Sequence, residues 1–160
     1  MRGWTITYVI SAVIIAFCGL WLAVFGFDEE TIRALIRSTA RSSFVLFMLA
    51  FTASSLQRLW PSTSSLWLLS NRRYIGVSFA ASHGIHLVFI VLLALYYPQP
   101  FLSTLGGPIL TILSIGYLLI AALAFTSSDY MMQALGFRHW QLLHRIGISV
   151  IFILFASSYI

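Results

Sequence analysis

Two histidines, His83 and His86, interrupt the long apolar segment that follows Arg73. They are three residues apart, so on a helix they project from neighbouring positions on one side. With a rise of about 1.5 Å per residue, they lie about 15 to 20 Å beyond Arg73 along the helix axis. Polar groups at such a depth are functional candidates, and a neutral imidazole nitrogen there is a candidate metal ligand.

A stripe of small residues, Gly76, Ala80 and Gly84, lies beside the two histidines. Such a stripe lets another backbone or a flat ligand come close to the helix. An axial imidazole next to room for a macrocycle is the combination that a haem requires. The alternative is that the histidines form hydrogen bonds to groups on adjacent helices, for which the candidate side chains are Ser54, Ser55, Ser78, Ser82 and Ser114.

The rest of the chain offers few other groups for chemistry. His144 lies near one end of the last apolar segment, and His139 lies in the connection before it. No Cys/His cluster has zinc spacing, and Asp129 is the only acid outside residues 28–41, which argues against catalysis by paired carboxylates. The chain lacks a P-loop, a G-x-S-x-G motif and a glycine-rich fingerprint after a strand, so we expect no flavin or nicotinamide site.

The composition is that of a protein whose main solvent is lipid. Of 160 residues, 60% are hydrophobic and 8% are charged, against about 25% in soluble domains, and the mean hydropathy is +0.95. In lipid, backbone polar groups must be satisfied internally, and long unbroken apolar runs favour helices over a barrel. The net charge of +5 does not indicate nucleic acid, because the basic residues are arginines at helix ends. Cys18, in an apolar run, is predicted to be a small buried hydrophobic side chain.

Five segments approach the length of about 20 apolar residues that a bilayer span needs. The first is too long for a signal-peptide core of about 7 to 15 residues, so we interpret it as an uncleaved span. No repeat or linker divides the chain. The sequence therefore predicts an all-α membrane protein, a bundle of about five transmembrane helices in a single domain over residues 1–160. The segments are residues 4–27, 42–59, 74–97, 108–125 and 140–160.

The first connection, residues 28–41, has an amphipathic pattern. Asp28 is placed to cap a short helix, with Glu29 and Glu30 in its first turn, where the helix dipole favours acids. Apolar residues form one face, and arginines recur every four residues on another. We interpret this connection as an interfacial helix at the headgroups, with a docking site as the alternative. Its apolar residues are Ile32, Leu35 and Ile36, and its arginines are Arg33, Arg37 and Arg41.

The arginine distribution favours an N-terminus on the inner side of the membrane. In that orientation six arginines lie inside and three, at positions 33, 37 and 41, lie outside. Five spans then place the C-terminus outside. Because no charged anchor follows the last span, we expect either a minimal form or a missing sixth helix. The six inner arginines are Arg2, Arg58, Arg72, Arg73, Arg138 and Arg145.

Three stretches resemble the ferric-reductase-like transmembrane domain family. The first comprises residues 72–80 and 82–86, which contain both third-span histidines. The second is residues 39–42, and the third comprises residues 124–127, 135–136, Trp140 and 143–145. The resemblance covers about residues 38 to 150. Within that family, the stretches are most similar to the haem-bearing membrane subunits of bacterial methionine-sulfoxide reductase systems.

The resemblance implies a bundle of about six helices that holds one or two b-type haems between its third and fifth helices. His86 matches the third-helix ligand of the family, and His144 matches the first histidine of its fifth helix. The family usually has a second fifth-helix histidine where this chain has Ser157, and a hydroxyl does not replace imidazole as a haem ligand. His83 is then either a compensating ligand or a polar core residue. Charged contacts to the haem propionates are expected from Arg72, Arg73 and Arg145.

The resemblance implies transmembrane electron transfer, as a component of an oxidoreductase system in the bacterial inner membrane. We expect an inner-side flavin reductase or quinol as electron donor and a redox acceptor on the outer side. The alternative is a haem-free membrane scaffold or partner-binding helical bundle descended from the same fold.

Overall fold

The computed structural model describes residues 3–99 and 107–159, and these residues contain six α-helices and no strand. They form two compact units, one built from the first three helices and one from the last three. The predicted all-α class is confirmed, whereas the single domain over residues 1–160 stays a prediction. The helices are α1 (Trp4–Phe25), α2 (Glu29–Leu59), α3 (Thr63–Tyr96), α4 (Gly107–Phe125), α5 (Asp129–Leu135) and α6 (Phe137–Tyr159).

Four helices of the described residues, α1, α2, α3 and α6, are long and apolar enough to cross a membrane. A fifth crossing is present if α4 and α5, which are bent by 102° at the break between them, count as one span. The predicted number of about five spans agrees with this range. The inner position of the N-terminus stays a prediction.

Helix α2 differs from the sequence prediction at its start. The predicted boundary between an interfacial helix and a span beginning at Ser42 is wrong, because one helix of 31 residues runs from Glu29 to Leu59. The predicted cap is confirmed, since Asp28 accepts a hydrogen bond of 2.7 Å from the backbone N–H of Thr31. That hydrogen bond holds the pKa of the Asp28 carboxyl below its ordinary value.

Helix α3 also begins earlier than its apolar segment. Ser62 caps it in a reciprocal capping box with Ser65, so the connection from α2 shrinks to residues 60–62. At 1.5 Å per residue, α2 and α3 are about 46 and 51 Å long, which exceeds the hydrocarbon thickness of about 30 Å. Both helices must therefore tilt or extend beyond the hydrocarbon.

In the first unit, α1 and α3 run parallel to each other and α2 runs antiparallel to both. Two buried clusters show this arrangement, one at each end of the helices. The N-terminal halves of α1 and α3 are also joined by hydrogen bonds, from the Gly3 N–H to Asn71 Oδ1 and from the Thr7 hydroxyl to the Tyr74 carbonyl. One cluster contains Ile6, Ala53, Leu68 and Ile75, and the other contains Cys18, Ile32, Leu35, Phe89 and Leu93, so the predicted burial of Cys18 is confirmed.

In the second unit, α4 packs against α6 at a close approach beside Gly147. A Cβ atom at Gly147 would lie 2.9 Å from a terminal methyl of Leu123, so the absence of a side chain lets the helices meet. The short helix α5 is capped by Ser128, which accepts a hydrogen bond of 3.1 Å from the Met131 N–H. Gly136, with a φ of 76°, makes the turn into α6, a conformation that favours glycine.

Candidate cofactor site

The ring of His86 is held against α2 through its Nδ1 atom. This atom lies 3.0 Å from the Ile36 carbonyl oxygen and 3.2 Å from the Thr39 hydroxyl oxygen. A carbonyl can only accept, so Nδ1 carries the hydrogen. The Thr39 hydroxyl donates to the Leu35 carbonyl at 2.7 Å, which leaves its oxygen as a second acceptor for the same N–H. In the neutral ring, Nε2 therefore keeps its lone pair, the state that a metal ligand needs.

A buried group of hydroxyls locks α2 and α3 together one turn from His86. The Ser82 hydroxyl oxygen lies 3.0 Å from that of Ser42 and 2.9 Å from that of Ser43. Both α2 serines also donate to the Thr39 carbonyl. Because Ser43 and Ser82 are fully buried, the register between the two helices is specified here by polar contacts as well as by packing.

Of the two histidine roles that the sequence left open, hydrogen bonding is observed for His86, but with partners other than the predicted serines. Ser82 bonds to other serines instead, and Ser54 accepts a hydrogen bond from Arg72. Ser78 and Ser114 bond to carbonyls of their own helices. Since the bonds of His86 use only Nδ1, this structural role leaves ligation through Nε2 possible.

His83 lies beside His86 on the same helix, with ring centroids 5.1 Å apart and planes inclined by 31°. On its other side, the ring of Phe79 lies 5.7 Å away. Among the described residues, no group of three or more His, Cys, Asp or Glu side chains is arranged to hold a metal ion. The histidine pair therefore does not make a multidentate metal site of the zinc type.

The surface of α3 beside His83 is open at both glycines of the small-residue stripe. A Cβ atom at Gly76 or Gly84 would meet no atom within 4 Å. At about 100° per residue, Gly76 lies about 20° from His83 around the helix, whereas Gly84 lies about 160° from His86. The open surface at Gly84 is therefore not beside His86. The donor chemistry does fit a haem, because a neutral imidazole with a free Nε2 lone pair is a suitable iron ligand.

His144 lies in a different setting within the second unit. Its Nε2 atom is 3.1 Å from the Thr126 hydroxyl oxygen, and that hydroxyl lies 2.7 Å from the Ala122 carbonyl. Because the carbonyl must receive the hydroxyl hydrogen, the Thr126 oxygen accepts from Nε2–H. The Trp140 ring covers the imidazole at 4.5 Å and donates its own N–H to the Thr126 carbonyl. Ligation through His144 Nε2 would require this hydrogen bond to break.

The predicted arginines lie inside helices, because α3 begins at Thr63 and α6 at Phe137. The expectation that Arg72 and Arg73 lie at a helix end is therefore wrong. Arg72 Nη1 donates to the Ser54 hydroxyl at 2.7 Å, and the Arg73 guanidinium lies 5.8 Å from the centroid of the Tyr74 ring. Arg145 and His139 are exposed, and Ser157 is an exposed residue that donates to the Leu154 carbonyl.

Sequence reasoning missed the groups that hold the two histidines, which are Ile36 and Thr39 for His86, and Thr126 with Trp140 for His144. Thr39, Thr126 and Trp140 do lie in the stretches that carry the family resemblance. A backbone carbonyl such as that of Ile36 has no residue-type signal at all.

No protein-family model matches the chain, and no solved structure matches it. The chain is similar to the protein-methionine-sulfoxide reductase heme-binding subunit MsrQ of Azospira oryzae, with 30% identity over 131 residues. The matched region covers 79% of this chain and 53% of that protein, so the chain spans about half the length of the curated relative. The predicted similarity to such subunits is supported, and membership of the ferric-reductase-like family stays a prediction.

Proposed function

We propose that this chain is a haem-binding electron-transfer subunit of a membrane oxidoreductase system, with the ferric-reductase-like transmembrane fold. The observation that carries the proposal is the state of His86, whose Nδ1–H is held by α2 so that Nε2 is the available ligand atom. The similarity to a curated heme-binding membrane subunit supports the same assignment.

A b-type haem would supply one-electron transfer by cycling its iron between the ferric and ferrous states. The residues of this chain would bind and orient it. His86 would supply the ligating nitrogen, the Ile36 carbonyl and Thr39 would hold the orientation of its ring, and Gly76 would leave the surface beside His83 open. The apolar side chains of α3 around this site exclude water.

The other predicted site residues are further candidate iron ligands, given in order of preference, and candidate partners of the haem propionates. His144 is the second candidate ligand, and its hydrogen bond to Thr126 would have to be exchanged for a bond to iron. His83 is the third candidate, stacked beside His86. Arg72, Arg73 and Arg145 are assigned as charged partners of haem propionates.

The partners follow from electron flow through a bacterial inner membrane. A soluble flavin reductase on the inner side, or a quinol, would deliver electrons. The relative is named as a subunit of a reductase that acts on methionine sulfoxide in proteins, so we assign the outer-side acceptor as the catalytic subunit of such a reductase.

A visible spectrum of the detergent-purified chain, expressed with an ample haem supply, tests this function. We expect a Soret band, with α and β bands on reduction, and a haemochrome assay that reports the haem content per chain. A colourless protein that is folded and monodisperse would contradict the proposal and leave the haem-free scaffold.

A further inference from the structure

The first three turns of α2 lie at the depth of apolar segments of α1 and α3. Ile32 and Leu35 have no exposed surface and pack with Cys18 of α1 and with Phe89 and Leu93 of α3. The ends of α1 and α3 lie beyond this level, where the rings of Phe27 and Tyr96 pack edge to face at 5.1 Å. The first turns of α2 therefore pack against the apolar ends of α1 and α3, the segments that would lie in the leaflet opposite the N-terminus.

The exposed face of these turns carries three arginines, and two of them have no acidic partner among the described residues. Arg33 Nε donates to Glu29 at 2.8 Å, one turn earlier on the same face. Arg37 and Arg41 are exposed, and neither forms an ion pair with a residue that the structure describes. Charged side chains within a membrane usually pair with polar or charged groups, so an anionic group of another molecule would complement Arg37 and Arg41.

The geometry of α2 directs both side chains towards the near membrane surface. Side chains of a helix lean towards its N-terminus, and the N-terminus of α2 is at this surface. Arg37 and Arg41 lie about 12 and 18 Å along the axis from Glu29, so their long stems can carry the guanidinium groups back towards the headgroups.

The face of α2 that carries Arg37 and Arg41 becomes apolar further along the helix. One and two turns beyond Arg41, Val45 and Leu49 are 55% and 40% exposed. A phospholipid has its charged and apolar groups in the same order, with an anionic phosphate at the surface and acyl chains below it. Guanidinium groups match phosphate oxygens through bidentate, charge-assisted hydrogen bonds.

We propose that Arg37 and Arg41 bind the phosphate of an anionic phospholipid in the leaflet opposite the N-terminus, with its acyl chains along Val45 and Leu49. An anionic headgroup is preferred to a zwitterionic one because no choline cation competes with the two arginines for the phosphate. This lipid site is independent of whether the chain binds haem.

Native mass spectrometry of the full chain, titrated with phosphatidylglycerol or phosphatidylcholine, measures the site. We expect phosphatidylglycerol to bind about tenfold more tightly than phosphatidylcholine, and the double variant Arg37→Gln/Arg41→Gln to lose most of that preference. Arg33→Gln is the matched control on the same stripe and should keep the preference, because Arg33 is paired with Glu29. The variant Arg37→Lys/Arg41→Lys keeps the charge and should retain a weaker preference.

Equal phosphatidylglycerol affinity for the wild type and both double variants would overturn the proposal. So would displacement of the lipid by inorganic phosphate at millimolar concentration, since the acyl chains would then contribute nothing. Loss of the lipid when haem is added would instead assign the arginines to the haem propionates. A glutamine double variant that fails to stay monodisperse is replaced by the single variants Arg37→Gln and Arg41→Gln, and an unchanged phosphatidylglycerol preference in both would equally overturn the proposal.

Discussion

The tautomer of His86 decides whether this histidine of α3 can act as a ligand. The Ile36 carbonyl and the Thr39 hydroxyl both accept from Nδ1–H, and both belong to α2. Hydrogen bonds of this kind orient a ligating imidazole and raise its basicity. Ile36 and Thr39 of α2 therefore set the tautomer of a candidate ligand on α3.

Replacing Thr39 with valine should alter the redox potential of a haem bound to His86 without removing the haem. The side chain is almost fully buried, and valine deletes one of two acceptors for Nδ1–H. The imidazole then donates less electron density to the ferric iron, so the midpoint potential should rise by about 20 to 60 mV. Spectroscopic redox titration measures this shift.

Thr39→Ser is the matched control, since it keeps the hydroxyl and should keep a potential close to that of the wild type. Equal haem midpoint potentials for the wild type, Thr39→Val and Thr39→Ser would show that the Thr39 hydroxyl does not affect His86 as a ligand.

Replacing His86 with alanine should remove the haem absorbance or shift it strongly, because the proposed axial nitrogen is lost. His139→Ala is the control and should leave the spectrum unchanged, as this side chain is exposed. Absorbance spectra at equal protein concentration provide the measurement. If separate alanine variants of His83, His86 and His144 all kept the wild-type spectrum, none would be an essential ligand.

At the scale of helices, the sequence predicted which segments are helical more reliably than where they end. Arginines such as those at positions 33–41 and 72–73 are typical of span ends. Yet no proline or glycine interrupts α2 between Glu29 and Leu59, and the backbone continues as one helix. The true ends coincide with residues that break helices, Gly26 before α2 and Pro61 before α3.

The candidate site was predictable only in part for a related reason. Composition and spacing single out His83, His86 and the small-residue stripe, because these are properties of one helix. The partners of His86 depend on the register between α2 and α3, which the buried contacts of Ser42, Ser43 and Ser82 specify. A single sequence does not encode that register in any local pattern.

The close approach of α4 and α6 predicts that Gly147→Ala destabilises the second unit. The added methyl would lie 2.9 to 3.2 Å from three atoms of the Leu123 side chain, so that side chain must move. We expect a net loss of about 1 kcal/mol, observed as a lower melting temperature in detergent. Gly19→Ala is the matched control, because nothing lies within 4 Å of its added Cβ, and it should be neutral or slightly stabilising. A melting temperature for Gly147→Ala at or above that of Gly19→Ala would contradict this account of the contact.

At the scale of the whole molecule, the number of crossings decides the side on which the C-terminus lies. Helix α4 has 19 residues and is about 28 Å long, close to the thickness of the hydrocarbon core. The bend of 102° between α4 and α5 allows either a crossing that ends in a surface helix or a re-entrant segment. The first arrangement gives five crossings and an outer C-terminus, and the second gives four and an inner C-terminus.

The arginines favour five crossings. With α4 crossing, the inner side holds six arginines and the outer side three. A re-entrant α4 would transfer Arg138 and Arg145 outwards, which leaves four inside and five outside. That distribution opposes the usual excess of basic residues on the inner side.

We therefore predict that a reporter fused after Ile160 lies outside the inner membrane, with active alkaline phosphatase and a dark green fluorescent protein. Fusions within residues 60–62 are the control and should report the inner side in either arrangement, because they follow α2. Fusions at Ser128 separate the two arrangements directly, since this residue lies inside if α4 crosses and outside if it is re-entrant. Fluorescence from the fusion after Ile160, together with phosphatase activity at Ser128, would show that α4 turns back within the membrane and that the chain crosses four times.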